Sequence, residues 1–134
     1  MRLRFGRILI AAVIAESVPI ILLIALVALF GPREQVAAQS YAERLGQWVG
    51  PIGGTLMCLL AAWWLARSLS ASHLIHGLMV GLAAALIDIA LAYAAGAAFQ
   101  WIFVASNLGR VLGGAVGGVA GRRAPAPLQG QEDI

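Results

Sequence analysis

Four long apolar stretches, separated by short polar segments, dominate the sequence. They cover about residues 8–30, 48–66, 74–95 and 101–120. A helix rises about 1.5 Å per residue, so the first stretch would be about 34 Å long. The hydrocarbon core of a bilayer is roughly 30 Å thick. The pattern therefore predicts an all-α fold, a polytopic membrane protein built as a bundle of four transmembrane helices, with neighbours in the chain antiparallel.

The polar segment 31–47 is longer than the other connections. Four residues recur there at helical spacing, namely Ala37, Tyr41, Leu45 and Trp48. This spacing predicts a short amphipathic helix lying at the membrane interface. The alternative is a plain loop.

The two ends of the chain need separate interpretation. A cleaved signal peptide is the alternative for the first stretch, because VAAQ at 36–39 is similar to a cleavage site. The apolar region of a signal peptide has about 7–15 residues, and the stretch here is longer and interrupted by Glu16 and Pro19. We therefore expect a retained span. Prolines and polar residues predict a disordered cytoplasmic tail over 122–134.

Composition and charge agree with a membrane protein. Hydrophobic residues make up 61% of the chain and charged residues 11%, whereas soluble domains average about 45–50% and about 25%. With four spans, one side of the membrane receives six arginines, namely Arg2, Arg4, Arg7, Arg67, Arg122 and Arg123. The other side has Arg33 and Arg44, next to Glu34 and Glu43. The positive-inside rule thus predicts cytoplasmic termini, and the charge indicates orientation, not nucleic-acid binding.

Small residues recur every three or four positions along the second, third and fourth stretches. In lipid, helices associate through close packing, so small residues indicate contact faces. The predicted helix-packing residues are Gly50, Gly54, Gly77, Gly81, Gly113 and Gly117. Glycine is also commoner in membrane helices generally, but its repetition on three helices favours contact.

Charged residues also lie inside the apolar stretches. Asp88 and Arg110 are accompanied by Glu16 and Asn107, all at depths of about 12–21 Å from the predicted cytoplasmic ends. A charge at the bilayer centre costs about 2.5–3.5 kcal/mol, which pairing inside a bundle reduces. We therefore predict an intramembrane polar cluster, in which Arg110 pairs with Asp88, Glu16 or both and Asn107 completes the network.

Two interpretations of this cluster stay open. It is either a polar staple that keeps the helices in register or a proton or ion site. A transport path needs water beside the charges, whereas a staple is dry and fully paired.

Other chemistry is poorly supported. The single cysteine, Cys58, excludes an internal disulfide and a cysteine metal cluster. His73 and His76 lack a neighbouring carboxylate or cysteine to complete a metal site. The serines near 68–72 belong to no recognisable nucleophile motif, and no phosphate-binding loop is present. We expect neither an enzyme nor a cofactor.

The segment GPIGGTLMCLLAAWWLARSLSASHLIHGLMVGL, residues 50–82, has a glycine pair in the second helix, a short basic turn and a glycine-spaced start to the third helix. It resembles a family of small bacterial four-span integral membrane proteins of uncharacterised function. The turn here has a single arginine, Arg67. The resemblance implies a multi-pass protein of the bacterial cytoplasmic (inner) membrane and brings no activity.

The expected function is that of a structural or accessory membrane subunit. Its partners would be the lipid bilayer and a second copy or a larger membrane complex, with no nucleic acid. The alternative is a minimal oligomeric transporter or channel whose path is lined by the charged cluster.

Overall fold

The computed structural model describes residues 5–69 and 71–122 as a helical bundle. Its α-helices are α1 (Phe5–Phe30), α2 (Gln35–Trp48), α3 (Gly54–Ala66), α4 (His73–Ala94) and α5 (Trp101–Ala120). A π-helical turn, Val49–Gly53, joins α2 to α3 in one continuous helix. Four helices are long and apolar enough to cross a membrane, so the predicted all-α four-helix fold is confirmed. The predicted tail lies outside the described residues, apart from Arg122.

The region between the first two spans differs from the expectation. The helix predicted at 31–47 is present, but it continues into the second span instead of forming a separate element. The continuous helix has 32 residues, which corresponds to about 48 Å. Pro51, which has no N–H to donate, lies in the wider π-helical turn, where the helix continues past it. Ala37, Tyr41 and Leu45 are partly buried, whereas Trp48 is exposed.

The helices pack as a four-helix bundle in which α3 and α4 each contact both α1 and α5. The buried core consists mainly of small side chains, among them Ala11, Ala12 and Ala15 of α1, and Cys58, Ala61 and Ala62 of α3. Large apolar side chains such as Ile21, Ile24, Leu86 and Leu112 are exposed. This distribution suits a bundle in lipid, because close approach of helices requires small residues at the contacts.

Glycines bring α5 into backbone contact with both neighbours. On the α4 side, a Cβ at Gly81 would lie 2.5 Å from the carbonyl oxygen of Arg110, and one at Gly118 would lie 2.5 Å from that of His73. On the α3 side, a Cβ at Gly113 would lie 2.5 Å from the carbonyl oxygen of Thr55, and one at Gly117 would overlap the backbone of Leu59. These contacts run antiparallel between α4 and α5 and parallel between α3 and α5.

Most of the predicted glycine contacts are present. Gly54, Gly77, Gly81, Gly113 and Gly117 all face another helix closely. Gly50 does not, because a Cβ there would meet nothing within 4 Å. The reason is the π-helical turn around it. Its wider winding breaks the four-residue spacing, so Gly50 leaves the face that carries Gly54.

Candidate functional site

The four polar residues predicted from the sequence meet where α1, α4 and α5 converge. Arg110 Nε donates to Glu16 Oε1 at 2.5 Å, and Arg110 Nη2 donates to Glu16 Oε2 at 3.1 Å. Arg110 Nη2 also donates to Asp88 Oδ1 at 3.1 Å. Asn107 Nδ2 donates to Asp88 Oδ2 at 3.1 Å and to the carbonyl oxygen of Phe103 at 2.8 Å. We call Glu16, Asp88, Asn107 and Arg110 the polar cluster.

The path of the Arg110 side chain explains why a glycine is needed beside it. Its backbone packs on Gly81 of α4, whereas its guanidinium reaches Glu16 of α1 past Gly54 of α3. A Cβ at Gly54 would lie 2.8 Å from Arg110 Cζ. The absence of a side chain at this position therefore makes room for the guanidinium between the first and last helices.

Ser106 is a member of the site that sequence reasoning missed. Its Oγ accepts a short hydrogen bond from Arg110 Nη1, and the side chain is buried. The signal was present in the sequence, because residues four apart lie on the same face of a helix. With Ser106, all three nitrogens of the guanidinium have partners.

The two carboxylates of the polar cluster differ in how deeply they are buried. Glu16 and Arg110 are 4% and 3% exposed, and their bidentate contact is the geometry in which arginine binds a carboxylate most strongly. The Asp88 side chain is 26% exposed. The cluster therefore consists of a buried ion pair, Glu16–Arg110, and a second carboxylate that is partly exposed.

A cavity of about 500 Å³ reaches the polar cluster from the end of the bundle where α5 begins. Its mouth includes the polar side chains of Glu43, Gln47 and Gln100, and at its inner end lie Asp88, Ser106 and Arg110. We call this space the polar cavity. A solute that enters it can contact Asp88 without displacing the Glu16–Arg110 pair.

A second space of about 530 Å³ lies between α4 and α5. Asp88 and Asn107 are its polar members, and apolar side chains such as Ile89, Phe103 and Leu108 line the rest. The Oδ1 atom of Asn107 is buried without a hydrogen-bond partner among the described residues. Asp88 therefore stands between a polar cavity on one side and an apolar groove on the other.

The two histidines face backbone carbonyls. His73 Nε2 lies 3.2 Å from the oxygen of Leu69, and His76 Nδ1 lies 2.9 Å from the oxygen of Ser72. Within residues 5–69 and 71–122, no three His, Cys, Asp or Glu side chains are grouped to hold a metal ion. Cys58 is a buried free thiol.

Comparison with known proteins returned no family model, no curated protein and no solved structure that matches the chain.

Proposed function

We propose that the chain is a non-enzymatic integral protein of the bacterial cytoplasmic membrane, a structural or accessory subunit with both termini in the cytoplasm. Arg7, Arg67 and Arg122 at one end of the bundle, opposite Arg33 and Arg44, support this orientation. The proposed partners are the bilayer and a second copy or a larger membrane complex. The buried Glu16–Arg110 ion pair carries the proposal, because it links α1 to α5 and each of its two charges has an opposite charge as partner.

The pair is suited to act as a staple. It joins α1 to α5, helices that are 94 residues apart at the pairing positions and that both pack mainly against α3 and α4. An unpaired charge inside the bundle is strongly unfavourable. Any packing of the helices that separates Glu16 from Arg110 is therefore higher in free energy. The pair thus favours one register of α1 relative to α5.

A double-mutant cycle tests this role. We expect Glu16→Gln and Arg110→Gln each to lower the free energy of unfolding in detergent micelles by about 3–5 kcal/mol, the usual cost of breaking a buried pair. The double variant should lose much less than the sum. Glu43→Gln, at an exposed glutamate, is the matched control and should change little. Additive losses, or singles that resemble the control, would contradict the staple.

The polar cavity supports a second candidate function, the binding and translocation of a cation or proton at Asp88. Asp88 is the partly exposed member of the cluster and lies at the inner end of the cavity. Beyond Asp88, towards the other end of the bundle, the helices are in glycine-mediated contact, and the polar cavity opens at the end where α5 begins. Such a site would serve an outward-open transporter better than a continuous channel.

Ion flux into proteoliposomes distinguishes the two functions. A transporter would show proton or alkali-cation flux that Asp88→Asn abolishes and that Glu34→Gln, at an exposed position outside the cavity, leaves intact. The unfolding free energy of both variants must be measured alongside. A wild-type chain that folds and shows no flux supports the structural role, whereas flux lost with unchanged stability overturns it.

A further inference from the structure

A third cavity, of about 590 Å³, lies at the opposite end of the bundle from the polar cavity. It is formed where α1 begins and α3 ends. Its lining residues are Arg7, Ile10, Trp64, Leu65, Arg67 and Ser68. None of them belongs to the polar cluster, and the proposed staple does not use them.

The polar wall of this cavity carries two positive charges. Arg7 Nη1 donates to Ser68 Oγ at 3.2 Å, and the Arg67 guanidinium lies 4.7 Å from the centre of the Trp63 ring. Among the described residues, neither arginine forms an ion pair with a carboxylate. Two guanidiniums that line one cavity, without a counter-charge in the part of the chain that the structure describes, are complementary to an anion, and the N–H groups of a guanidinium match a phosphate.

The rest of the cavity is apolar and continues along the bundle. Ile10 and Trp64 are 57% and 62% exposed, and Trp64 also lines an adjoining hollow of about 230 Å³ in the seam between α1 and α3. That hollow is lined otherwise by Ala11, Ile14, Met57, Leu60 and Ala61. From Trp64 to Met57 the seam extends about 10 Å along the helix axis, which is enough for the part of an acyl chain next to the headgroup.

We infer that this end of the α1–α3 seam is a binding site for an anionic phospholipid. The phosphate lies between Arg7 and Arg67 near Ser68, and one acyl chain follows the seam past Trp64 towards Met57. A free phosphate would use the arginines but not the apolar seam, so the combination of the two selects a lipid. Basic sites between helices at the cytoplasmic surface are suited to acidic headgroups. In the proposed orientation the lipid belongs to the cytoplasmic leaflet.

Lipid titration of the purified, delipidated chain tests the inference. Binding of phosphatidylglycerol and of phosphatidylcholine with the same acyl chains is measured by native mass spectrometry in a neutral detergent. We expect phosphatidylglycerol to bind more tightly than phosphatidylcholine. The double variant Arg7→Gln/Arg67→Gln should weaken the binding of phosphatidylglycerol by about 25-fold, at roughly fivefold for each arginine that contacts an acidic lipid.

Two controls make the result specific. The double variant Arg33→Gln/Arg44→Gln removes the same charge from the other end of the bundle, and Arg122→Gln removes a charge from the same end but outside the cavity. Both should bind phosphatidylglycerol as the wild type does. Equal losses in a control would show a general charge effect and overturn the site, as would equal binding of the two lipids.

The acyl-chain half of the site is tested separately. Trp64→Ala should weaken the binding of phosphatidylglycerol severalfold. It should leave unchanged the weak binding of glycerol 3-phosphate, which is a headgroup without acyl chains. Glycerol 3-phosphate that binds as tightly as the lipid would overturn the lipid assignment and indicate a phosphate site. Because these side chains are exposed, we expect all variants to fold, and near-wild-type unfolding in detergent verifies it. The outcome is independent of the Glu16–Arg110 cycle.

Discussion

Gly54 and Arg110 are matched across the α3–α5 interface, since a Cβ at residue 54 would lie 2.8 Å from the guanidinium carbon. The glycine belongs to a helix that contributes no charge to the polar cluster, yet it leaves open the space that the guanidinium occupies on its way to Glu16. The contact residues of a membrane helix therefore serve two purposes here. They allow backbones to approach, and at this position they also create the space that a long polar side chain occupies.

The first prediction concerns this space. Gly54→Ala should push the guanidinium away from Glu16 and lower the free energy of unfolding by about 1–3 kcal/mol, as overpacking of a tight core does. Unfolding in detergent micelles measures the loss.

The matched control is Gly50→Ala in the same continuous helix. A Cβ at residue 50 meets nothing within 4 Å, so this change should be neutral or slightly stabilising, since alanine favours helix. If the two variants have the same stability, Gly54 does not make room for Arg110.

A second prediction concerns the backbone contact between α4 and α5. At Gly81 a Cβ would lie 2.5 Å from the carbonyl oxygen of Arg110 and 2.7 Å from Val111 Cα. Backbone atoms cannot rotate away as a side chain can, so Gly81→Ala should separate the helices and cost at least as much as Gly54→Ala. Gly46→Ala, whose Cβ would make an ordinary contact of 3.6 Å with Leu23, should fold with near-wild-type stability. A stable Gly81→Ala chain with unchanged packing would show that the contact is not close.

A third prediction isolates Ser106. Ser106→Ala leaves a buried N–H of Arg110 without an acceptor, which costs about 1–3 kcal/mol. Ser17→Ala is the comparison, because Ser17 Oγ donates only to the carbonyl oxygen of Val13 in its own helix. Thermal unfolding of the two variants in the same detergent measures the difference. Equal melting temperatures for the two variants would show that the hydrogen bond from Arg110 to Ser106 does not stabilise the fold.

A fourth prediction tests the proposed orientation. Ala71, in the connection before α4, and Ser40, in α2, are exposed residues at opposite ends of the bundle. Each is replaced by cysteine in a separate variant, Ala71→Cys and Ser40→Cys. In intact cells a membrane-impermeant maleimide should label Ser40→Cys and reach Ala71→Cys only after the membrane is opened. The wild-type chain, whose Cys58 is buried, is the unlabelled control. The reverse labelling pattern would show that the topology is the opposite of the one proposed. It would also place the proposed lipid site in the outer leaflet.

The pairing within the polar cluster could be predicted from the sequence, but the burial of its members could not. The cost of an unpaired charge in lipid required Arg110 to have an acidic partner, and the two acids at a similar depth were Glu16 and Asp88. Depth along the chain pointed to Glu16, about 12 Å from the predicted cytoplasmic end, as the acid nearer to water. That expectation is wrong, because Glu16 is 4% exposed and the Asp88 side chain 26%. Glu16 is enclosed because α1 packs between small residues of α3 and α4, whereas Asp88 lies where the polar cavity and the apolar groove meet.

The amino-acid sequence alone determined the number of helices that are long and apolar enough to cross a membrane, most of the small-residue faces and the need for ion pairing. Length, polarity and residue spacing can be read from each segment independently. The tertiary structure decided the rest. It showed that Gly50 leaves the contact face in a π-helical turn, that Ser106 joins Arg110, and that cavities open at both ends of the bundle. These features depend on the rotation of each helix about its axis and on which helices are neighbours. The residue periodicity within one segment gives neither of these.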